Sequence, residues 1–345
     1  MLAGMSETKT RAAKNSVVVI GGGTGTHTVL RGLKRYHTEL ELTAIVSMAD
    51  SGGSTGRLRD EFGQLPVGDV RMALTALAAD VDQHDDLVRE LFMYRFAKGG
   101  NGLSGHNFGN LLLTALTDLM GSEVAAIEAA ARILRVRGMV VPVTTSDVHL
   151  RAVYDDGVVC IGEKDIDEPT ADRYPHWITE LSVTPAATLN PQVTTVLQSA
   201  DLIVFGPGDL YTSILPNCVV DGFTAALALS SARVAFVANL MTKAGQTTGM
   251  TAADHMAEIE RYSGRRPDYL IRNDAPLPPP LVQRYATEQE YPVQPGTSIE
   301  SVRVVDAPLL ATEEVVTVAG DTVRRSLIRH DSDALAACIV QLCRE

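Results

Sequence analysis

Two glycine-rich turns lie near the start of the chain, and each comes directly after a short β-branched run. The first turn, residues 21–26, follows the apolar run 17–20, and the second, residues 50–57, follows the run 42–46. A short β-branched run bounded by glycine is typical of a buried parallel strand. Apolar residues recur at helical spacing after Thr26, so we predict that the first turn links a strand to the N-terminus of a helix.

Both turns have the chemistry of a phosphate site. The free N–H groups and the positive dipole end of a helix N-terminus favour an anion, and glycine lets the backbone approach it closely. Ligands of open α/β sheets bind at the carboxyl ends of neighbouring strands. The residues predicted to bind the ligand in these two turns are Gly22, Gly23, Thr24, Gly25, Thr26, Asp50, Gly52, Gly53, Ser54 and Arg57.

A third glycine turn, residues 206–213, follows the apolar run 202–205 and adds hydroxyl groups suited to phosphate oxygens. The first turn departs from the strict dinucleotide pattern G-x-G-x-x-G, because Thr26 stands where the third glycine would fall. Three such turns in one chain nevertheless predict a ligand that spans several strand ends. The residues predicted to bind it in the third turn are Gly206, Gly208, Asp209, Tyr211, Thr212 and Ser213.

Other polar residues are candidates for chemistry. His106 precedes a predicted helix and could contact a phosphate or transfer a proton, although a lone histidine is more often structural. Asn107 and Asn110 of the same segment are predicted ligand contacts. Asp50 and Asp69 would hold Mg²⁺ if an ion is needed, since carboxylates suit a hard cation that binds phosphates. These two aspartates and His106 are therefore the catalytic candidates, and the residues alone assign no metal or cofactor.

Composition excludes several classes of protein. The formal net charge is −12 and the isoelectric point about 5.1, so the surface as a whole lacks the basic face that nucleic acids or acidic membranes require. No apolar run reaches about 18 residues, so we expect no membrane span. The P-loop motif is absent. The four cysteines lack metal-binding spacing and are interpreted as reduced, buried thiols of a cytoplasmic protein.

Strands and helices alternate through the first two thirds of the chain, which predicts a doubly wound, mostly parallel sheet. The pattern changes over residues 147–185, where the Asp-Asp-Gly run at 155–157 predicts a hairpin. We therefore expect one α/β domain over residues 16–345 with an antiparallel insertion, and a disordered leader over residues 1–15. Asp69 is expected to cap the helix that follows it.

Six motifs occur in the order seen in one family of proteins. They are residues 17–26, 50–59, 66–71, 105–111, 206–216 and 239–247, and the longest matches read GGGTG, GGSTGRLRDE and GPGDLYTSILPN. In these motifs the chain resembles the gluconeogenesis factor (YvcK-like) proteins, the sister family of the 2-phospho-L-lactate transferases (CofD). The resemblance extends over residues 16–345.

The resemblance implies a Rossmann-like, CofD-like fold and a cytoplasmic bacterial protein that binds UDP-N-acetylglucosamine or UDP-glucose. In that family the role is regulatory, and it is tied to growth on gluconeogenic carbon, cell shape and cell-wall precursor supply. We expect such a regulator to act through a protein partner. The family's contacts to the uridine sugar include a Tyr in a K-Y-A helix and an Arg in an L-R-H segment, which match Tyr285 and Arg329.

The chain departs from the family pattern at three places. Ser51 stands in place of the second of two acids, residues 66–72 read PVGDVRM in place of PPGDIRN, and residues 243–247 read KAGQT in place of QPGET. The lost acids weaken the case for transferase activity more than the case for phosphate binding.

Three functions remain open from the sequence. The first is a nucleotide-sugar-binding regulator. The second is a Mg²⁺-dependent, CofD-like transferase. The third is a NAD-binding Rossmann protein, against which the missing third glycine and the lack of an evident catalytic base both argue. Formation of a homo-oligomer is left open as well.

Overall fold

The protein is described here by a computed structural model that covers residues 14–297, 301–312 and 326–345. Most of the expected leader, residues 1–13, lies outside the described residues. Asn15 already belongs to the first strand, one residue before the expected start of the domain.

Ten β-strands occur in the described residues. They are β1 (Asn15–Gly21), β2 (Leu40–Val46), β3 (Met139–Pro142), β4 (His149–Tyr154), β5 (Val159–Ile161), β6 (Ile178–Thr184), β7 (Leu202–Phe205), β8 (Arg233–Val237), β9 (Tyr269–Asn273) and β10 (Arg303–Ala307).

Thirteen α-helices occur in the same parts of the chain. They are α1 (Gly23–Leu33), α2 (Gly53–Phe62), α3 (Gly68–Leu77), α4 (Gln83–Met93), α5 (Gly100–Leu103), α6 (Phe108–Met120), α7 (Glu123–Ile133), α8 (Glu163–Asp167), α9 (Pro191–Gln198), α10 (Phe223–Ala228), α11 (Ala252–Ser263), α12 (Pro279–Ala286) and α13 (Ser332–Cys343). None of these helices has the length and apolar character needed to cross a bilayer.

Seven strands form one parallel sheet in the order β10-β9-β8-β7-β1-β2-β3. The chain builds outward from β1 in one direction through β2 and β3, and later in the other direction through β7 to β10. In open α/β sheets this topological switch point opens a crevice at the carboxyl ends of the two central strands. The predicted doubly wound parallel sheet is confirmed.

The alternation of side chains along β1 explains why the sheet is covered on both faces. Val17 and Val19 face one core, which contains α1, α3 and α13, whereas Val18 and Ile20 face a second core with α9, α10 and α11. All four side chains are fully buried. A strand buried on both faces must be apolar at every position, which is the run that the sequence contains at residues 17–20.

The antiparallel insertion is a three-stranded sheet in the order β5-β4-β6. It lies within the expected range of residues 147–185, and Gly157 takes a positive φ of 84° in the turn between β4 and β5. The short helix α8 follows β5 and brings the insertion towards the carboxyl ends of the main sheet.

The four cysteines are unpaired, as expected. Cys218 and Cys343 are buried, but Cys160 and Cys338 are only half-buried. The expectation that all four thiols are buried is therefore wrong for two of them, because β5 is an edge strand and the outer face of α13 is partly exposed.

Gly25 keeps the two central turns in contact. A Cβ atom on Gly25 would lie 1.7 Å from the carbonyl oxygen of Pro207, in the turn after β7. Gly25→Ala must therefore push the turns apart, and we expect it to lower the free energy of unfolding by about 1–3 kcal/mol. Gly102→Ala is the control, because a Cβ there meets no atom within 4 Å. Equal thermal stability of the two variants would contradict the close approach.

Candidate functional site

The turns after β1, β7 and β8 surround a cleft of about 430 Å³, which we call the switch-point cleft. It lies at the carboxyl ends of β1 and β7, where the strand order reverses. The main-sheet residues that line it are Gly22, Gly23, Thr24, Gly25, Thr28, Pro207, Gly208, Asp209, Ser213 and the run 239–244.

Two distant parts of the chain supply the remaining walls of the switch-point cleft. The insertion contributes Asp167, Glu168, Pro169 and Tyr174, and the C-terminal part contributes Tyr285, Glu290, Ser326, Ile328, Arg329 and His330. The structure thus brings together nine of the residues predicted to bind ligand: Gly22, Gly23, Thr24, Gly25, Gly208, Asp209, Ser213, Tyr285 and Arg329. Their role in binding stays a prediction.

Asp69 occupies the N-terminus of α1. Its Oδ1 atom accepts a hydrogen bond from the N–H of Gly23 at 2.8 Å, and a Cβ atom on Gly22 would lie 2.2 Å from its Oδ2 atom. The expectation that Asp69 caps its own helix is wrong, because α3 begins at Gly68 with Val67 at the N-cap position and no side-chain cap. The carboxylate instead stabilises the positive end of α1.

Asp50 lies next to Asp69 and shares its environment. Its Oδ1 atom accepts from the N–H of Gly52 at 2.8 Å, and a Cβ on Gly68 would lie 2.1 Å from its Oδ2 atom. Burial, reinforced by the charge of Asp50, raises the pKa of Asp69 to about 7. Burial also raises the pKa of Asp50. Two adjacent carboxyl groups therefore favour the protonated state or a nearby cation.

The second glycine turn does not line the switch-point cleft. Ser54 Oγ lies 3.1 Å from His106 Nδ1 and accepts from the N–H of Asn107 at 3.1 Å, and burial lowers the pKa of His106. Asn107 also caps α6 by accepting from the N–H of Asn110 at 3.2 Å. These contacts tie α2 to the start of α6, which is a structural role.

The remaining polar side chains of this region are bonded within the protein too. Arg57 donates to the carbonyl oxygen of Ser104 at 2.9 Å, and Asn110 Nδ2 donates to Thr55 Oγ1 at 3.3 Å. The predicted ligand and catalytic residues that lie outside the cleft lining are Asp50, Gly52, Gly53, Ser54, Arg57, Asp69, His106, Asn107 and Asn110. No observation of the structure tests whether they touch a ligand.

Four more residues predicted to bind ligand do not line the cleft but bond or pack next to the turns that form it. They are Thr26, Gly206, Tyr211 and Thr212. Gly206 donates its N–H to the carbonyl oxygen of Ile20 at 3.0 Å, which joins the β7 turn to β1. Thr26 is buried, and its Oγ1 atom lies 2.5 Å from where a Cβ on Gly21 would stand.

Tyr211 and Thr212 support the frame from the third turn. The Tyr211 hydroxyl donates to Glu258 Oε2 at 3.0 Å, away from the cleft, and burial raises the pKa of Tyr211. The Thr212 hydroxyl donates to Asp167 Oδ1 at 3.0 Å. One side chain anchors the turn to α11, and the other anchors it to the insertion.

Tyr285 and Arg329 are linked through the backbone. The hydroxyl oxygen of the buried Tyr285 accepts from the N–H of Leu327 at 2.8 Å and from that of Ile328 at 3.4 Å. Arg329 follows directly and lines the cleft, and its Nε donates to the carbonyl oxygen of Ser326 at 2.6 Å. Tyr285 therefore positions the segment that presents Arg329.

Sequence reasoning missed a charged group at the centre of the cleft wall. Lys243 Nζ lies 3.3 Å from Asp167 Oδ2 and 3.6 Å from Asp209 Oδ2. Gln246 Nε2 donates to Asp167 Oδ1 at 3.3 Å. The run 239–247 was visible as a motif, but no local pattern marks Asp167, because its partners lie far away in the sequence.

Asn239 is a second missed residue. Its Oδ1 atom accepts from the N–H of Gly208 at 3.1 Å, and its Nδ2 atom donates to the carbonyl oxygen of Gly208 at 2.7 Å. The oxygen and the nitrogen of its amide each make one hydrogen bond to the backbone of Gly208, so Asn239 fixes the third glycine turn against the turn after β8.

The three acids around Lys243, which are Asp167, Asp209 and Glu290, differ in the direction of their pKa shifts. Burial opposes ionisation of Asp167, but the Lys243 ammonium and several hydrogen bonds outweigh it and lower the pKa of Asp167. Burial raises the pKa of Asp209 to about 6 and that of Glu290 to about 7, although Lys243 acts in the opposite direction on both. The Lys243–Asp167 pair is therefore the stable ion pair of this wall.

Comparison with known proteins identifies the family of this chain. The model of the 2-phospho-L-lactate transferase CofD family matches residues 17–310. The gluconeogenesis factor of Bacillus subtilis is 37% identical over 333 residues, covering 96% of this chain and 99% of the relative. That of Halalkalibacterium halodurans is 37% identical over 333 residues, covering 95% and 96%. This chain belongs to the gluconeogenesis factor family.

A relative from Nostoc sp. is 45% identical over 331 residues, covering 94% of this chain and 68% of the Nostoc protein. A solved structure of a Bacillus halodurans protein is 34% identical and superposes with a TM-score of 0.83, covering 95% of this chain and 100% of that one. The α/β fold of this member of the gluconeogenesis factor family is therefore that of its solved relative.

Asp69→Asn tests the carboxyl pair. A carboxyl whose pKa is raised in the folded state favours folding at low pH, and this contribution is lost as the pH rises from about 4 to about 7. Asparagine keeps the acceptor for Gly23 and lacks the charge. We expect the stability of the variant relative to wild type to increase between about pH 4.5 and about pH 8, measured by chemical denaturation. Asp60→Asn, at an exposed carboxylate of α2, is the control. A pH-independent difference for Asp69→Asn would contradict the raised pKa.

Proposed function

We propose that this member of the gluconeogenesis factor family is a cytoplasmic regulator that binds UDP-N-acetylglucosamine or UDP-glucose in the switch-point cleft. Its role would be in growth on gluconeogenic carbon, cell shape and cell-wall precursor supply, exerted through a protein partner. The observation that carries the proposal is the convergence of the C-terminal segment with Arg329 on the glycine turns after β1 and β7.

The glycine turns offer the means to hold a diphosphate. Gly23 opens α1 with a positive φ of 60° and lines the cleft beside Ser213 and Gly208. The N–H of Gly23 already donates to Asp69 Oδ1, so the N–H groups that follow it at the start of α1 would bind phosphate oxygens, and a hydroxyl such as that of Ser213 can donate to one. Arg329 would add a charge-assisted hydrogen bond.

The rest of the cleft suits a sugar and a base. Its volume of about 430 Å³ falls within the range of small-molecule sites. Asp209, Glu290 and Asn239 can exchange hydrogen bonds with sugar hydroxyls. Tyr174 and Ile328 offer apolar surface for a ring. A nucleotide sugar needs this combination of polar and apolar walls.

A second candidate is a Mg²⁺-dependent transferase, which the match to the 2-phospho-L-lactate transferase family favours. The residues fit the ion, because Asp50 and Asp69 are adjacent carboxyl groups whose pKa values are raised chiefly by burial, and a bound cation would favour their ionised form. They would hold a Mg²⁺ ion that neutralises phosphate charge. Strict Mg²⁺ dependence of nucleotide binding, with formation of a product, would favour this candidate over the regulator.

Gly23→Ala tests the phosphate contact. Alanine at the positive φ of Gly23 costs about 1 kcal/mol of folding free energy and places a methyl group in the cleft. We expect at least a tenfold loss of UDP-N-acetylglucosamine affinity, about 1.4 kcal/mol, by calorimetry. Gly121→Ala is the matched control, because Gly121 has a φ of 67° and no atom within 4 Å of a Cβ, and it lies outside the cleft. Equal affinity in both variants would place the ligand elsewhere.

Arg329→Ala and Tyr285→Phe test the C-terminal segment. We expect Arg329→Ala to lose about 1–3 kcal/mol of UDP-N-acetylglucosamine binding through a missing charge-assisted bond. Tyr285→Phe removes the acceptor for Leu327 and should lose less, because it acts through the position of Arg329. If both variants fold and bind UDP-N-acetylglucosamine like wild type, the ligand contacts that the family resemblance implies for Tyr285 and Arg329 are wrong. That result would favour a generic dinucleotide fold, for which NAD is the comparison ligand.

A further inference from the structure

The Lys243 ammonium stands between two carboxylates that come from different parts of the fold. Asp167 ends α8 of the insertion and lies 3.3 Å away, and Asp209 follows the glycine turn after β7 and lies 3.6 Å away. Carboxylate oxygens are the ligands that Mg²⁺ prefers in proteins. The ammonium thus takes the position from which a divalent cation would bind both acids.

The oxygens of Asp167 are already used by protein donors. Its Oδ1 atom accepts from Thr212 Oγ1 at 3.0 Å and from Gln246 Nε2 at 3.3 Å, and its Oδ2 atom accepts from Lys243 Nζ at 3.3 Å. A carboxylate has about four acceptor sites, so three of those of Asp167 are filled. A metal ion could bind Asp167 only by displacing these donors.

Lys243 retains donor capacity towards the cleft. An ammonium has three N–H donors. Asp167 accepts from one of them at 3.3 Å, and Asp209 Oδ2, 3.6 Å away, takes at most a second, so at least one N–H remains. The Lys243 side chain is 20% exposed and lines the same cleft as Gly23 and Ser213. A phosphate oxygen in the cleft can therefore accept a hydrogen bond from it.

We propose that Lys243 supplies the positive charge that neutralises the phosphates of the ligand in the switch-point cleft, in place of a divalent cation. The inference rests on the proposed function, in that the ligand is taken to carry a diphosphate, and it adds that binding does not depend on a divalent cation. Asp167 and Gln246 are the positioning residues that hold the ammonium in place.

The test is calorimetric titration of the full chain with UDP-N-acetylglucosamine and, separately, with inorganic pyrophosphate, in EDTA and in Mg²⁺. Wild-type affinity for each probe should agree within about twofold between the two conditions. Lys243→Gln should lose affinity about tenfold or more in EDTA and regain part of it in Mg²⁺, since the vacated carboxylates can then bind the ion. Lys243→Arg keeps the charge in a larger, planar group and should lose less affinity than Lys243→Gln.

Lys164→Gln is the matched control for long-range electrostatics. Lys164 lies on the same short helix as Asp167, and its side chain is exposed and does not line the cleft. Its loss should change the affinity in EDTA by less than about twofold, because exposed charges are screened. Thermal unfolding of each variant confirms that it is folded, and the wild-type comparison of EDTA with Mg²⁺ needs no variant at all.

Two results would overturn the inference. The first is a wild-type chain that binds the probes at least tenfold more tightly in Mg²⁺ than in EDTA. The second is a folded Lys243→Gln variant that binds the probes like wild type in EDTA. Pyrophosphate binding that depends on Lys243, without any UDP-N-acetylglucosamine binding, would reject the proposed function and keep the role of Lys243. If UDP-N-acetylglucosamine binds equally well to wild type and to Lys243→Gln, the proposed function is kept and the role of Lys243 is rejected. A wild-type chain that binds neither probe would reject both.

Discussion

The backbone contact between the turns after β1 and β7 is the constraint on which the rest of the site depends. Only a glycine at position 25 lets the start of α1 approach Pro207, and the N–H of Gly206 bonds the end of β1 at the same point. The side chain of Asn239 then fixes the third turn to the strand that follows. The three strand ends become one rigid rim, and the switch-point cleft is the space above it.

Charged side chains form much of the walls of the switch-point cleft. Acids from the insertion and from the third turn meet Lys243, and the C-terminal segment adds Arg329, placed by Tyr285. On the other side of the β1 turn, Asp50 and Asp69 form a separate acidic pair with raised pKa values. The cleft is therefore lined by an ion pair, and a buried pair of acids lies next to the start of α1.

The local features of this fold could be predicted from the sequence. The apolar run 17–20 and the glycine turn after it require a central strand and a helix N-terminus, and the Asp-Asp-Gly turn at 155–157 requires a hairpin. All three glycine turns were expected to converge because parallel strands end at one edge of a sheet. The turns after β1 and β7 line one cleft, whereas the turn after β2 does not line it. Family resemblance, and not local chemistry, was needed to single out Tyr285 and Arg329.

The remaining features depend on contacts between distant segments. Asp69 was expected to cap its own helix, but its carboxylate accepts from the N–H of Gly23 at the start of α1, which is 46 residues away in the sequence. Ser54 and Asn107 were predicted as ligand contacts by residue type; the hydrogen bonds that they make to His106 and Asn110 depend on the fold, and their contact with a ligand stays a prediction. Lys243 lay in a recognised motif, but Asp167 carried no local signal, since their pairing exists only once the insertion packs on the main sheet.

A crystal structure of the chain with UDP-N-acetylglucosamine tests the central claim most directly. The account predicts that the diphosphate lies in the switch-point cleft, within hydrogen-bond distance of the backbone at residues 24 and 25 and of Ser213, with Arg329 and Lys243 on its oxygens. The second glycine turn should keep its internal hydrogen bonds and stay clear of the ligand. A diphosphate bound at residues 52–57, with the cleft empty, would contradict the account.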